Sequence, residues 1–110
     1  MEDRERRIAE NEIVYRSVNE KIEDLNEAFG TLTNTMAVVC ECGSESCAEQ
    51  IQLDVSTYER VRAEPTHFVV LPGHVAPDVE SVIETGDGFE IVRKDAGEAA
   101  ELASEHDPRS

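Results

Sequence analysis

The three cysteines of this chain fall within eight residues, in the run Cys40-Glu41-Cys42-Gly43-Ser44-Glu45-Ser46-Cys47. Side chains two residues apart in extended backbone point the same way, so Cys40 and Cys42 share a face, and Gly43 then allows a turn that returns Cys47 to the same point. An odd number of thiols packed this closely is a poor disulfide framework and a good chelating set. Zinc takes four nitrogen or sulfur ligands in a tetrahedron, and a closed shell of three cysteines and one histidine is a common structural form. His74 is the expected fourth ligand, because the Pro72-Gly73 turn behind an apolar run can aim it back at a neighbouring strand. His67 is the alternative, and His106 lies in the acidic C-terminal segment. The expectation is one structural zinc on Cys40, Cys42, Cys47 and His74.

Other chemistries compete for the same thiols. Cysteine often behaves as a small buried hydrophobe, but the intervening Glu41, Ser44, Glu45 and Ser46 make this stretch too polar to be core. Closely spaced zinc thiolates can also be oxidised and release their metal, which would make the cluster a redox- or metal-responsive switch. Catalytic zinc needs an open coordination position, whereas this set can close its own shell, so no catalytic residues and no enzymatic activity are expected. The many carboxylates are spread along helices and loops as a solvated acidic face.

The elements that must position these ligands are legible in the hydrophobic pattern. Residues 4 to about 29 lack Gly and Pro, and Ile8, Tyr15, Val18, Ile22, Leu25 and Phe29 recur at spacings of seven, three, four, three and four. That pattern is a heptad-like apolar seam on one helix of about 26 residues, or about 39 Å, with Gly30 as its C-cap. Asn11 falls on the seam, where it either fixes the register of a coiled coil or is exposed in a fraying end. Met36–Cys40 reads as a buried strand, Ile51, Leu53 and Val55 as a second, and His67–Leu71 as a third; Val79–Lys94 reads as a hairpin about Gly86-Asp87-Gly88. Ser56 and Glu59 have the spacing of a capping box for a short helix from Thr57 to Ala63. The organisation is an amphipathic helix over 1–30, a linker over 31–35, a zinc-stabilised β-rich domain over 36–94 and a disordered acidic tail or frayed helix over 95–110. The fold class is α+β.

Charge bounds the partners. The net charge of −15 divides as −4 over residues 1–34, −7 over 35–94 and −4 over 95–110, so no segment offers the basic excess that nucleic acid or anionic membrane requires. The Arg4, Arg6, Arg7 cluster is interleaved with acids, and helical pairs Glu2/Arg6, Asp3/Arg7 and Glu12/Arg16 account for it as solvated charge. A basic protein surface suits such a chain, and the long seam predicts a homodimer. No apolar run is long enough to span a membrane and the N-terminus lacks a signal-peptide core, so the expected location is the cytoplasm. With few large aromatics available, namely three Phe, two Tyr and no Trp, a metal is expected to help hold the core together.

The residues Arg4-Glu5-Arg6-Arg7-Ile8-Ala9-Glu10-Asn11-Glu12, Cys40-Glu41-Cys42-Gly43 with Cys47, Tyr58-Glu59-Arg60-Val61-Arg62 and Val70-Leu71-Pro72-Gly73-His74 together resemble a group of small, largely uncharacterised bacterial proteins with an N-terminal charged helix, a CECGxxxC cluster and a PGH motif. The resemblance spans about residues 4 to 94. It implies that the cysteine cluster is paired with His74, and it implies no particular activity.

Overall fold

The computed structural model describes residues 3–28, 34–44, 47 and 49–109, without the side chains of residues 27 and 28. Helix α1 runs Asp3–Ala28, strand β1 Thr35–Val39, β2 Gln50–Asp54, helix α2 Val55–Arg62, β3 His67–Val70, β4 Glu80–Gly86, β5 Phe89–Lys94 and helix α3 Glu98–Glu105. This is an α+β fold. Phe29 of the seam, the Gly30 cap, Glu2 and most of the 31–35 linker lie outside the described residues.

β1 and β2 form an antiparallel pair with Met36 opposite Leu53 and Val38 opposite Ile51, so the alternating apolar residues of both strands enter one core. A separate antiparallel sheet has the order β3-β5-β4. The β4–β5 turn is the expected hairpin over Asp87-Gly88, and Gly88 takes the positive φ of 83° that the tight connection needs. Apolar residues from both sheets meet in a core that includes Val38, Ile51, Leu53, Tyr58, Phe68, Val70 and Val92, together with all three cysteines. The two sheets are stitched where the chain leaving β1 passes β3 and the Glu41 N–H donates to Val69 O at 2.8 Å.

Three expectations about local structure are corrected. Helix α2 starts two residues before Thr57, its N-cap is Asp54, and no side chain caps it, so the Ser56 capping box does not form. The C-terminal segment holds helix α3 in place of a disordered tail, because Ala99 and Ala103 give it a small apolar face that is buried. The third correction concerns which face of α1 turns inward. The buried stripe is Ala9, Glu12, Arg16, Asn19 and Glu23, while Val14, Val18 and Leu25 are 56%, 41% and 57% exposed. The heptad-like spacing is there, but apart from Ala9 its buried members are polar.

Specific partners make this inversion possible. Lys94 of β5, buried, donates to Glu12 Oε1 at 2.7 Å and lies 3.4 Å from Glu80 Oε2. Arg16 donates to the carbonyls of Pro65 at 2.6 Å and Ala103 at 2.7 Å, and its guanidinium lies 5.0 Å from the centre of the Phe68 ring. Arg109, beyond α3, reaches Glu20 at 2.7 Å and Glu23 at 2.6 Å. Glu12 and Arg16 are therefore not a solvated helical pair: each is fully buried and engaged elsewhere. A buried charge is tolerated only when paired and hydrogen-bonded, and here the pairing tethers α1 to β5, to α3 and to the segment before β3.

Candidate metal centre

Strand alternation carries the ligands. The ladder between β1 and β2 extends one bond past Val39, with Cys40 N–H donating to Glu49 O at 2.8 Å. Cys40 and Cys42 then share a side of the extended chain, with Glu41 between them. The Cys47 N–H donates to Ser44 O at 3.3 Å, which returns the third thiol. His74 closes the turn Leu71-Pro72-Gly73-His74: its N–H donates to Leu71 O at 3.0 Å, and Gly73 has φ 83°. Proline followed by a positive-φ glycine is the arrangement a type II turn demands.

The ligand atoms of Cys40, Cys42, Cys47 and His74 all lie within 4.8 Å of one another. His74 Nδ1 is 3.6 Å from Cys40 Sγ and 3.7 Å from Cys47 Sγ. In a tetrahedron with metal–sulfur bonds of about 2.3 Å and a metal–nitrogen bond of about 2.0 Å, the sulfur–nitrogen edge is about 3.5 Å. The donor set and its spacing thus fit one metal ion. The thiols are buried and free of disulfides, whereas His74 is exposed. A groove of about 710 Å³ opens beside it, bounded by Arg4, Arg7 and Ile8 on one wall and by Cys42, His74 and Val75 on the other.

The thiols are not equivalent. Cys42 is brought down to about 5 because it accepts a hydrogen bond from Cys40, with the Ser44 N–H, His74 and Cys47 adding support against the effect of burial. Cys40 is pushed up, since it keeps the shared proton and is itself desolvated. The Leu71 N–H donates to Cys40 Sγ at 3.2 Å, a bond that favours the thiolate once that proton leaves. The cluster offers one ready thiolate, and binding a metal through the remaining thiols releases protons.

Within the stretch read as too polar for the core, Glu41 is core, whereas Ser44 is exposed. Glu41 is fully buried between two cysteines; its Oε1 accepts from the Val69 N–H at 3.0 Å and its Oε2 from Asn19 Nδ2 at 2.8 Å. Burial pushes its carboxyl up, opposed by Arg62, Asn19, the Val69 N–H and Arg16. Nothing in the composition flags Glu41, but the alternation that turns both cysteines one way also turns Glu41 the other, toward α1 and β3. Gly43 also serves a different purpose from the expected turn. Its φ is not among the positive values, and a Cβ there would stand 2.9 Å from Ile8 Cα, so it is the close approach of α1 that requires glycine. Asn11 neither sets a register nor frays; its Nδ2 donates to Gly43 O at 2.9 Å.

Among the described residues, His67 and His106 are not part of the cluster. His67 sits half-buried at the start of β3, and His106 is exposed just past α3. No family model matches the chain, and neither a curated protein nor a solved structure does.

Proposed function

We propose that this protein is a zinc-stabilised protein–protein interaction or regulatory module, with a structural zinc held by Cys40, Cys42, Cys47 and His74. The observation that carries the reading is the convergence of four soft or borderline ligand atoms within 4.8 Å of one another, with His74 Nδ1 at 3.6 and 3.7 Å from two of the sulfurs. Three thiolates and one imidazole favour zinc over hard cations. Four protein ligands fill the shell, which favours a structural role over catalysis. The uncovered apolar stripe Val14, Val18 and Leu25 on α1 supports the interaction half of the reading, and a second copy of the chain is the partner we assign to it. Free thiols suit a reducing compartment such as the cytoplasm, and no helix among the described residues is long and apolar enough to cross a membrane. Metal analysis after purification without chelators tests the reading: about one zinc per chain is expected, and less than about half an equivalent would reject it.

One observation favours a second reading, a redox-responsive switch. Cys42, though buried, borders the groove and its thiol is the acidic one, which together place a thiolate at the groove wall. A peroxide would be reduced to water as two thiols become a disulfide, and the metal would be released. Zinc content unchanged by mild peroxide would leave only the structural role.

A further inference from the structure

Four residues on one side of α1, Ile8, Asn11, Tyr15 and Asn19, all meet the segment that carries Cys40 and Cys42. Ile8 packs on Gly43, the Asn11 amide donates to Gly43 O, and the Tyr15 hydroxyl donates to Ser44 O at 3.0 Å. Asn19, fully buried, treats Val39 as a neighbouring strand would: Nδ2 donates to Val39 O at 2.8 Å and Oδ1 accepts from the Val39 N–H at 2.7 Å. The second hydrogen of the same amide goes to Glu41 Oε2, and Glu41 in turn holds the Val69 N–H of β3. Every polar atom of the Asn19 amide is thus spent on the residues that flank Cys40.

We infer that Asn19 and Asn11 are positioning residues for the metal: by fixing Val39, Glu41 and Gly43 they hold Cys40 and Cys42 in the converging arrangement, so that docking of α1 and retention of the metal are one linked equilibrium. The inference rests on the metal reading of the cluster. Groups that orient ligands without touching the metal are a recurrent part of such sites, and linkage makes the coupling reciprocal: whatever α1 docking adds to metal affinity, the metal adds to α1 docking. The outward stripe of α1 would then be presented in a fixed orientation only while the metal is bound.

The experiment uses the full chain loaded with zinc, and separately with Co²⁺, whose absorption reports the ligand geometry; zinc release is followed with an excess of chromophoric chelator. Asn19→Ala should release zinc about 10–100-fold faster, the usual range for losing a ligand-orienting partner, and should change the cobalt spectrum. Asn11→Ala, which loses one hydrogen bond, should speed release about fivefold. Arg60→Met is the control, since it breaks the pair with Glu84 between α2 and β4 and touches neither α1 nor the cysteine segment, and its release rate and cobalt spectrum should match the parent's. Release at the parental rate in both asparagine variants overturns the inference while leaving the metal site standing. Equal acceleration in Arg60→Met also overturns it, since any loosening of the fold would then suffice. If Asn19→Ala does not fold, Asn11→Ala decides by the same criteria, and a parent chain that carries no metal fails the underlying reading instead.

Discussion

Glu41 and Asn19, both fully buried, and the half-buried Gly43 fix the backbone around the cysteines. Gly43→Ala should destabilise the protein by about 1–3 kcal/mol, the usual cost of overpacking, because the added methyl meets the Ile8 backbone and no rotamer change relieves it. Urea unfolding checks this, and an unchanged midpoint would place α1 elsewhere. Cys42→Ser should lose the metal while His106→Ala, outside the cluster, should keep it; metal analysis of the two variants separates them. Glu23 gives a pH signature. Burial, then the nearby Glu59, raises its carboxyl from 4.5 to about 7, with Arg109 opposing. A raised carboxyl holds its proton more tightly in the folded state, so its contribution to stability is complete below about 4.5 and is lost as pH rises through about 7. Measured against Glu23→Gln, parental stability should therefore decline across that window; a difference that stays flat would mean that Glu23 keeps its ordinary value.

Helix α1 reads differently as an element than as a pattern. Its apolar residues have coiled-coil spacing, yet the stripe it buries is the polar one, because Lys94, the Pro65 and Ala103 carbonyls, and Val39 each await a partner on it. The aliphatic stripe is left to the outside. Val18→Asp combined with Leu25→Asp should therefore leave folding and zinc content unchanged while abolishing self-association, which light scattering at tens of micromolar would detect. A single-chain mass for the parent protein would reject the dimer. Loss of zinc in the double variant would mean that this stripe supports the core.

At the scale of the molecule, the proposed metal would share one task with the ion pairs. The cysteines are members of the hydrophobic core cluster, and the chain between them bridges β1 to β3, so removing the proposed metal should loosen the seam between the two sheets. Structural zinc contributes on the order of 10 kcal/mol in small zinc-finger domains, comparable to the whole stability of a domain of this size. Prolonged chelation should therefore lower the melting temperature sharply or unfold the protein. A transition that is unchanged once metal analysis shows the ion gone would confine the site to a peripheral role.

The sequence by itself determined the local elements and the candidate ligand set. The long helix, the alternating strands, the Gly88 hairpin and the turn that carries His74 all follow from short-range sterics and periodicity, and the spacing of Cys40, Cys42 and Cys47 from the two-residue repeat of extended chain. The face that α1 turns inward was decided only by tertiary structure, as were the burial of Glu41 and the true reason for Gly43. Periodicity reports that a stripe exists but prices every buried charge as a loss. Whether Glu12, Arg16 and Asn19 can be buried depends on Lys94, two carbonyls and Val39, partners remote in sequence and brought to hand only when the chain has folded.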